Sequence, residues 1–222
     1  MHTNKIDLNE LSGKLPEVPG ILGKSNYFNS AVLIPFVEIN NEYHLLFEKR
    51  AKGIRQGSEI CFPGGEYDPQ IDASFKDTAI RETVEELGIE ENRISIIGLL
   101  DTLVGPMGVT VDPVVGRLHA ENINNLPFDK NEVEKIFTVP ISFFANEKHE
   151  VYYLRTEVQP EYIDEYGVKK ILFPTKELGL PEVYWKPWHT RGQKIIVYRT
   201  NEGVIWGITA RLIEELIRVI NS

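Results

Sequence analysis

The run Arg81-Glu82-Thr83-Val84-Glu85-Glu86-Leu87-Gly88 sets an arginine and three carboxylates within six consecutive positions. At about 100° per residue, a helix here would bring Glu82, Glu85 and Glu86 into a sector of roughly 100°. Ile80, Val84 and Leu87 would fall in a narrower sector on the far side. The expectation is an apolar face packed into a core and an acidic face gathering negative charge at one point. Three mutually repelling glutamates suit a hard divalent cation with oxygen ligands. The plain alternative is a solvated acidic face. Gly88 stands where a helix end takes a left-handed residue.

Upstream lies Phe62-Pro63-Gly64-Gly65, followed by a polar loop from Asp68 to Lys76 that leads into the helix. Pro63 ends a strand, and the two glycines would let backbone approach a ligand closely. A glycine turn, a loop and a helix with clustered glutamates resembles the Nudix box, G-x5-E-x7-R-E-U-x-E-E-x-G-U. Gly65 to Arg81 spans sixteen positions, where the general box has fourteen. The first glutamate of the box would fall at Ala73. Asp68 and Asp72 are the nearest acids, and the sequence assigns the position to neither. Thr83 stands where the box usually carries an aliphatic residue.

The longer loop and the Thr78-Ala79-Ile80-Arg81-Glu82-Thr83 entry resemble one Nudix branch, the coenzyme A pyrophosphatases. That branch carries a signature just before its box, and here Leu45-Leu46-Phe47-Glu48-Lys49-Arg50 and Ile54 to Gly65 are similar to it. Arg50, Arg55 and Glu59 take its charged positions, although the segment is about one residue short and lacks the usual histidine. Ordinary surface charge is the alternative reading of Arg50 and Arg55. Late in the chain, Trp206-Gly207-Ile208-Thr209-Ala210 looks like the W-G-[LI]-T-A segment of the same branch. Trp206 itself reads first as a packing residue.

The resemblance implies an α/β/α sandwich around a mixed β-sheet, and hydrolysis of the diphosphate link of coenzyme A or its derivatives. The products would be 3′,5′-ADP and 4′-phosphopantetheine. It implies Mg2+ or Mn2+ held by Glu82, Glu85 and Glu86, a cation that neutralises phosphoryl charge and acidifies a bound water. Oxygen ligands suit these ions, whereas zinc favours His or Cys. Arg81 would orient a glutamate. The general base stays open among the box glutamates, Glu132 and Glu134. Arg50 and Arg55 are candidates for the adenosine phosphates by guanidinium forks, with Gly64 and Gly65 beside the substrate. A Nudix enzyme for ADP-ribose, dinucleotides or nucleoside triphosphates is the rival within the class. A silent nucleotide-sensing domain is the rival outside it.

Composition sets the frame. Of 222 residues, 42% are apolar, and the net charge of −9 argues against a nucleic-acid backbone as partner. A small nucleotide diphosphate is the expected partner. The single Cys61 excludes an internal disulfide framework, fits a reducing, cytoplasmic setting, and reads as strand filler. Met1 to Glu10 has no apolar run, so neither signal peptide nor membrane anchor is expected.

The expected organisation is an N-terminal extension over 1–29, then a Nudix domain over 30–222 with an insertion-like segment at about 159–193. Helices are expected at Leu8–Leu15, Ser74–Leu87 and Ile205–Ile220, and a short one around Pro140 built from Glu132–Val139 and Ile141–Ala145. Strands are expected at Ala31–Ile39, Tyr43–Glu48, Ile60–Phe62, Ile94–Leu103, Val111–His119, Glu150–Glu157 and Lys194–Arg199. Tyr162, Tyr166, Phe173, Tyr184, Trp185 and Trp188 crowd the insertion-like segment. Packing is their first reading, with contact to a pantetheine arm or adenine, or a homodimer interface, beside it. His149 and His189 lack ligand-like spacing.

Overall fold

The computed structural model describes residues 6–106, 108–120, 122–146, 149–189 and 192–222. Its centre is an eight-stranded mixed sheet. β1 (Phe28–Ile39) turns at Asn40 and Asn41, both at positive φ, into β2 (Glu42–Arg50). β3 (Ile60–Cys61) and β4 (Gly64–Glu66) follow, then α1, the helix Phe75–Leu87. β5 (Ile94–Leu99), β6 (Leu103–Gly105), β7 (Val109–Leu118) and β8 (Val133–Pro140) complete the sheet. The main path runs β3-β2-β1-β7-β5, with β4 on β1, β6 on β7 and β8 on β2. β1 and β7 run parallel over Phe28 to Phe36, and every other pairing in the sheet is antiparallel.

Both faces of the sheet are covered, so its strands bury successive residues on opposite sides. Leu33, Val37, Leu46, Val114 and Leu118 lie on the side of α1 with Ala79 and Leu87. Ile34, Leu45, Phe47, Val111 and Val115 lie on the other, with Phe144 of α2 (Ile141–Asn146) and Leu212, Ile213 and Leu216 of α3 (Gly207–Ile220). This is the α/β/α sandwich that the resemblance implied. Phe47 anchors the second core, its ring stacked 4.8 Å from Phe62 and 5.7 Å from Phe137.

A smaller sheet joins β9 (Glu150–Leu154), β10 (Gln193–Thr200) and β11 (Gly203–Trp206), with β10 central. Ahead of β1, the helix Leu8–Lys14 buries no residue.

Several expectations are corrected. Val133–Pro140 is a strand, and only Ile141–Asn146 is helical. Val133, Phe137 and Val139 are buried along β8 as it pairs with β2, so alternation won over a helical reading. Ile94–Leu103 divides into two strands, and Glu150–Glu157 likewise breaks after Leu154. The insertion-like segment contains short paired strands, Glu157–Val158 with Trp188–His189 and Glu161–Ile163 with Lys169–Ile171. Packing accounts for part of its aromatics: Tyr184 meets Trp188 edge-on at 5.4 Å, whereas Tyr162, Tyr166 and Phe173 are exposed. Trp185 is half-buried and donates its indole N–H to the Leu180 carbonyl.

Candidate active site

The site is built where β2, β3 and β4 meet α1. Ser74 caps the helix, its Oγ accepting from the Asp77 N–H, and Gly88 ends it at φ 61°. The buried positions of α1 are Thr78, Ala79, Thr83, Glu86 and Leu87. The expected stripe of Ile80, Val84 and Leu87 is therefore rotated: Ile80 and Val84 are only half-buried, and the acidic edge turns inward. Thr83 fits the inner face because its hydroxyl donates to the Ala79 carbonyl at 2.6 Å, leaving its methyl for the core.

The two glycines make this rotation possible. The Gly64 N–H donates to Glu86 Oε2 at 2.9 Å. A Cβ on Gly65 would stand 2.3 Å from the carboxyl carbon of Glu82, and one on Gly64 2.3 Å from the Ala31 carbonyl oxygen. Gly65 therefore leaves room for the Glu82 carboxylate, and Gly64 for the close approach of β1.

Arg81 organises the outer rim. Its Nε and Nη2 donate to the two oxygens of Asp72, each at 2.9 Å, and Nη1 donates to Glu82 at 2.7 Å and Glu85 at 3.3 Å. Asp72, 4% exposed, also accepts from the Thr78 hydroxyl and the Asp68 N–H. The Arg81 guanidinium holds its carboxyl down at about 2. Of the two acids in the loop, Asp72 is thus the one that pairs with Arg81.

Alternation along β2 carries Glu48 and Arg50 to the same side as Leu46, under α1. Glu48 is wholly buried, paired across the strands with Cys61, whose thiol donates to Glu48 Oε1 at 3.2 Å. Burial, and then the Glu48 charge, push the Cys61 thiol well up. Burial pushes Glu48 up as well, and Glu86 is raised by burial and by the adjoining Glu48. Burial also raises Glu82. Arg50 Nη1 lies 3.9 Å from Glu48 Oε1; burial opposes its charge, while the Glu48 and Glu86 carboxyls favour it. Glu48 and Cys61 were missed as site residues. The signal was present: an acid closing the apolar run Leu45-Leu46-Phe47, in the stretch of β2 buried on both faces.

The remaining candidates disperse. Arg50 sits among the carboxylates, its Nε donating to the Arg55 carbonyl. Arg55 is exposed, its guanidinium 5.0 Å from the Phe28 ring centroid. Glu132 is exposed at the head of β8, near enough for its charge to act on Glu48 and Glu82. Glu134 pairs with Lys49 at 2.6 Å on the opposite face of β2. Trp206 is 45% exposed, not packed. It lines a groove of about 750 Å³ with Lys49, Tyr152, Arg199 and Val204, on the side of β2 away from Glu48.

The expected convergence of three glutamates on one point is not met. Among the described residues, no three acidic, histidine or cysteine groups surround a common point, because Glu82 and Glu85 turn to Arg81. The donor set still suits a hard divalent ion in kind: Glu82, Glu85 and Glu86 would offer it only oxygens, and burial raises the Glu82 and Glu86 carboxyls.

Buried carboxylates thus stand at the strand–loop–helix edge of a sandwiched mixed sheet. A family model of the NUDIX domain matches residues 28–182, and the chain belongs to the Nudix family of hydrolases, which act on pyrophosphate bonds. It is 27% identical to Nudix hydrolase 3 of Caenorhabditis elegans over 198 residues, 87% of this chain and 74% of that protein. It is 35% identical to the Nudix hydrolase NudL of Yersinia pestis over 142 residues, 60% of this chain and 68% of that protein. Among solved structures, a MutT/nudix family protein from Enterococcus faecalis aligns over 99% of this chain and 71% of its own, with 14% identity and a TM-score of 0.47. The M. smegmatis Nudix hydrolase RenU covers 54% of this chain and 74% of its own, with 17% identity and a TM-score of 0.45. No described helix is long and apolar enough to cross a membrane.

Proposed function

We propose that this Nudix hydrolase cleaves the diphosphate of coenzyme A or its derivatives, releasing 3′,5′-ADP and (acyl-)4′-phosphopantetheine in the cytoplasm. The observation that carries the reading is the block Leu45 to Gly65, in which Arg50, Arg55 and Glu59 occupy the charged positions of the coenzyme A signature. Glu82, Glu85 and Glu86 would hold Mg2+ or Mn2+. When bound, such an ion supplies charge neutralisation at the phosphoryl oxygens and a more acidic water.

The chain's own groups do the positioning. Gly64 fixes Glu86 through its N–H, and Arg81, itself held by Asp72, orients Glu82 and Glu85. Arg50 brings positive charge to the inner end of the site. Exposed Arg55 is free to meet an adenosine phosphate with its fork of donors. Glu132, exposed at the rim, is the candidate to accept a proton from the attacking water.

A panel of coenzyme A, dephospho-coenzyme A, ADP-ribose, a dinucleotide and a nucleoside triphosphate, with Mg2+ or Mn2+, tests the reading. A charge-assisted contact to the 3′-phosphate worth about 1.5–3 kcal/mol gives coenzyme A a kcat/KM roughly ten- to hundredfold above dephospho-coenzyme A. Arg55→Ala should shrink that gap. Equal turnover of the two, or faster cleavage of ADP-ribose, removes the coenzyme A assignment and leaves the family intact.

A further inference from the structure

Glu48 is an ionisable side chain with no solvent exposure, in a strand whose neighbours Leu45, Leu46 and Phe47 are wholly buried too. Its Oε1 accepts the Cys61 thiol and lies 3.9 Å from Arg50, beyond a hydrogen bond. Its Oε2 is buried with no hydrogen-bond partner. The Glu86 carboxyl, anchored on Gly64, adjoins it from the helix side. A buried carboxylate oxygen without a donor is costly, and a second carboxylate beside it adds repulsion. An apolar residue would fill the position without either penalty.

We infer that Glu48 is a ligand for the divalent cation, its free Oε2 supplying from the sheet a donor that complements the adjoining Glu86 of the helix. The inference rests on the pyrophosphatase reading and deepens it. The box glutamates all come from α1, so they approach from one side. A ligand from β2 gives the ion protein oxygens on two sides, as a hard cation with several oxygen ligands prefers. A proton shared between Glu48 and Glu86 is the competing way to satisfy both groups. It leaves no role for Glu48 in cation binding.

The test is Mn2+ binding to the full-length, chelator-stripped chain, read from the electron paramagnetic resonance signal of free Mn2+. The Mg2+-induced rise in Tm provides a second readout. Glu48→Gln keeps the shape and removes the charge; Glu48→Met removes both oxygens and serves if the amide disturbs the fold. Each is expected to weaken Mn2+ binding by at least about tenfold and to shrink the Mg2+-induced rise. The cation-free Tm should be equal to or above that of wild type, a result a merely structural role would not give. Wild-type Mn2+ affinity in both variants, alongside loss of binding in Glu86→Gln, overturns the role of Glu48 and spares the metal-dependent reading. Absence of Mn2+ binding in the wild type overturns both.

Discussion

Arg81 holds Asp72 through two parallel hydrogen bonds, Nε to Oδ1 and Nη2 to Oδ2, each 2.9 Å long. The fork-to-fork geometry leaves Nη1 alone to face Glu82 and Glu85. Asp72 therefore acts on the carboxylates through the arginine it orients.

Asp72→Asn should cost about 2–4 kcal/mol of stability, because a half-buried guanidinium loses a charge-assisted pair. It should also lower kcat while leaving KM nearly unchanged, since positioning rather than substrate binding is lost. The acid limit should move with it. The Asp72 carboxyl is depressed to about 2 in the folded chain, so its stabilisation is full above its ordinary value and is lost as pH falls towards 2. Denaturant titrations of both proteins from pH 5 to pH 2 check this: the gap should close on acidification.

Removing divalent ions should abolish turnover. Glu85→Gln, at an exposed position, should leave the fold untouched and reduce kcat by orders of magnitude. Full activity after exhaustive chelation, or a Glu85→Gln variant within about twofold of wild type, would return that glutamate to a solvated face.

The Glu48–Glu86 pair predicts an unusual alkaline loss of stability in cation-free protein. Burial and their proximity raise the two carboxyls to about 7 and about 9. Folded-state values above the unfolded ones mean that the stabilisation is full below the ordinary carboxylate range. It drains away as pH rises through the raised values. Tm in the presence of chelator should fall across roughly pH 5–9, and Mg2+ should flatten the decline. A Tm that is level across that range would show the pair is not buried as described.

The adjacent glycines should separate fold from chemistry. Gly64, at φ 153°, would drive a Cβ into the β1 backbone, so Gly64→Ala should destabilise by about 2–4 kcal/mol. In Gly65→Ala the clash is with the Glu82 carboxylate, which can swing aside. Thermal unfolding near wild type with a large fall in kcat is expected for Gly65→Ala, and comparable stability losses in both variants would contradict it.

Much of the site was legible from residue types alone. Ser74 and Gly88 bound α1 because capping is local chemistry, settled within a turn of the helix. The clustered glutamates and the paired glycines mark the box for the same reason: helix spacing and glycine's backbone freedom belong to short segments. The layered sheet was accessible only through the resemblance, since alternation gives a strand its two faces without naming what covers either. Val133–Pro140 shows this limit, for its strand character depends on pairing with β2, some ninety positions away in sequence. So does the rotation of α1: its short-side-chain flank of Ala79 and Thr83 lets the helix lie close to β1, which turns Glu82 and Glu86 inward and leaves Ile80 and Val84 at the margin. Which acid meets Arg81, and that Glu48 meets Glu86, were decided by loop closure and strand pairing. Both bring together groups distant along the chain, and no local preference encodes such a meeting.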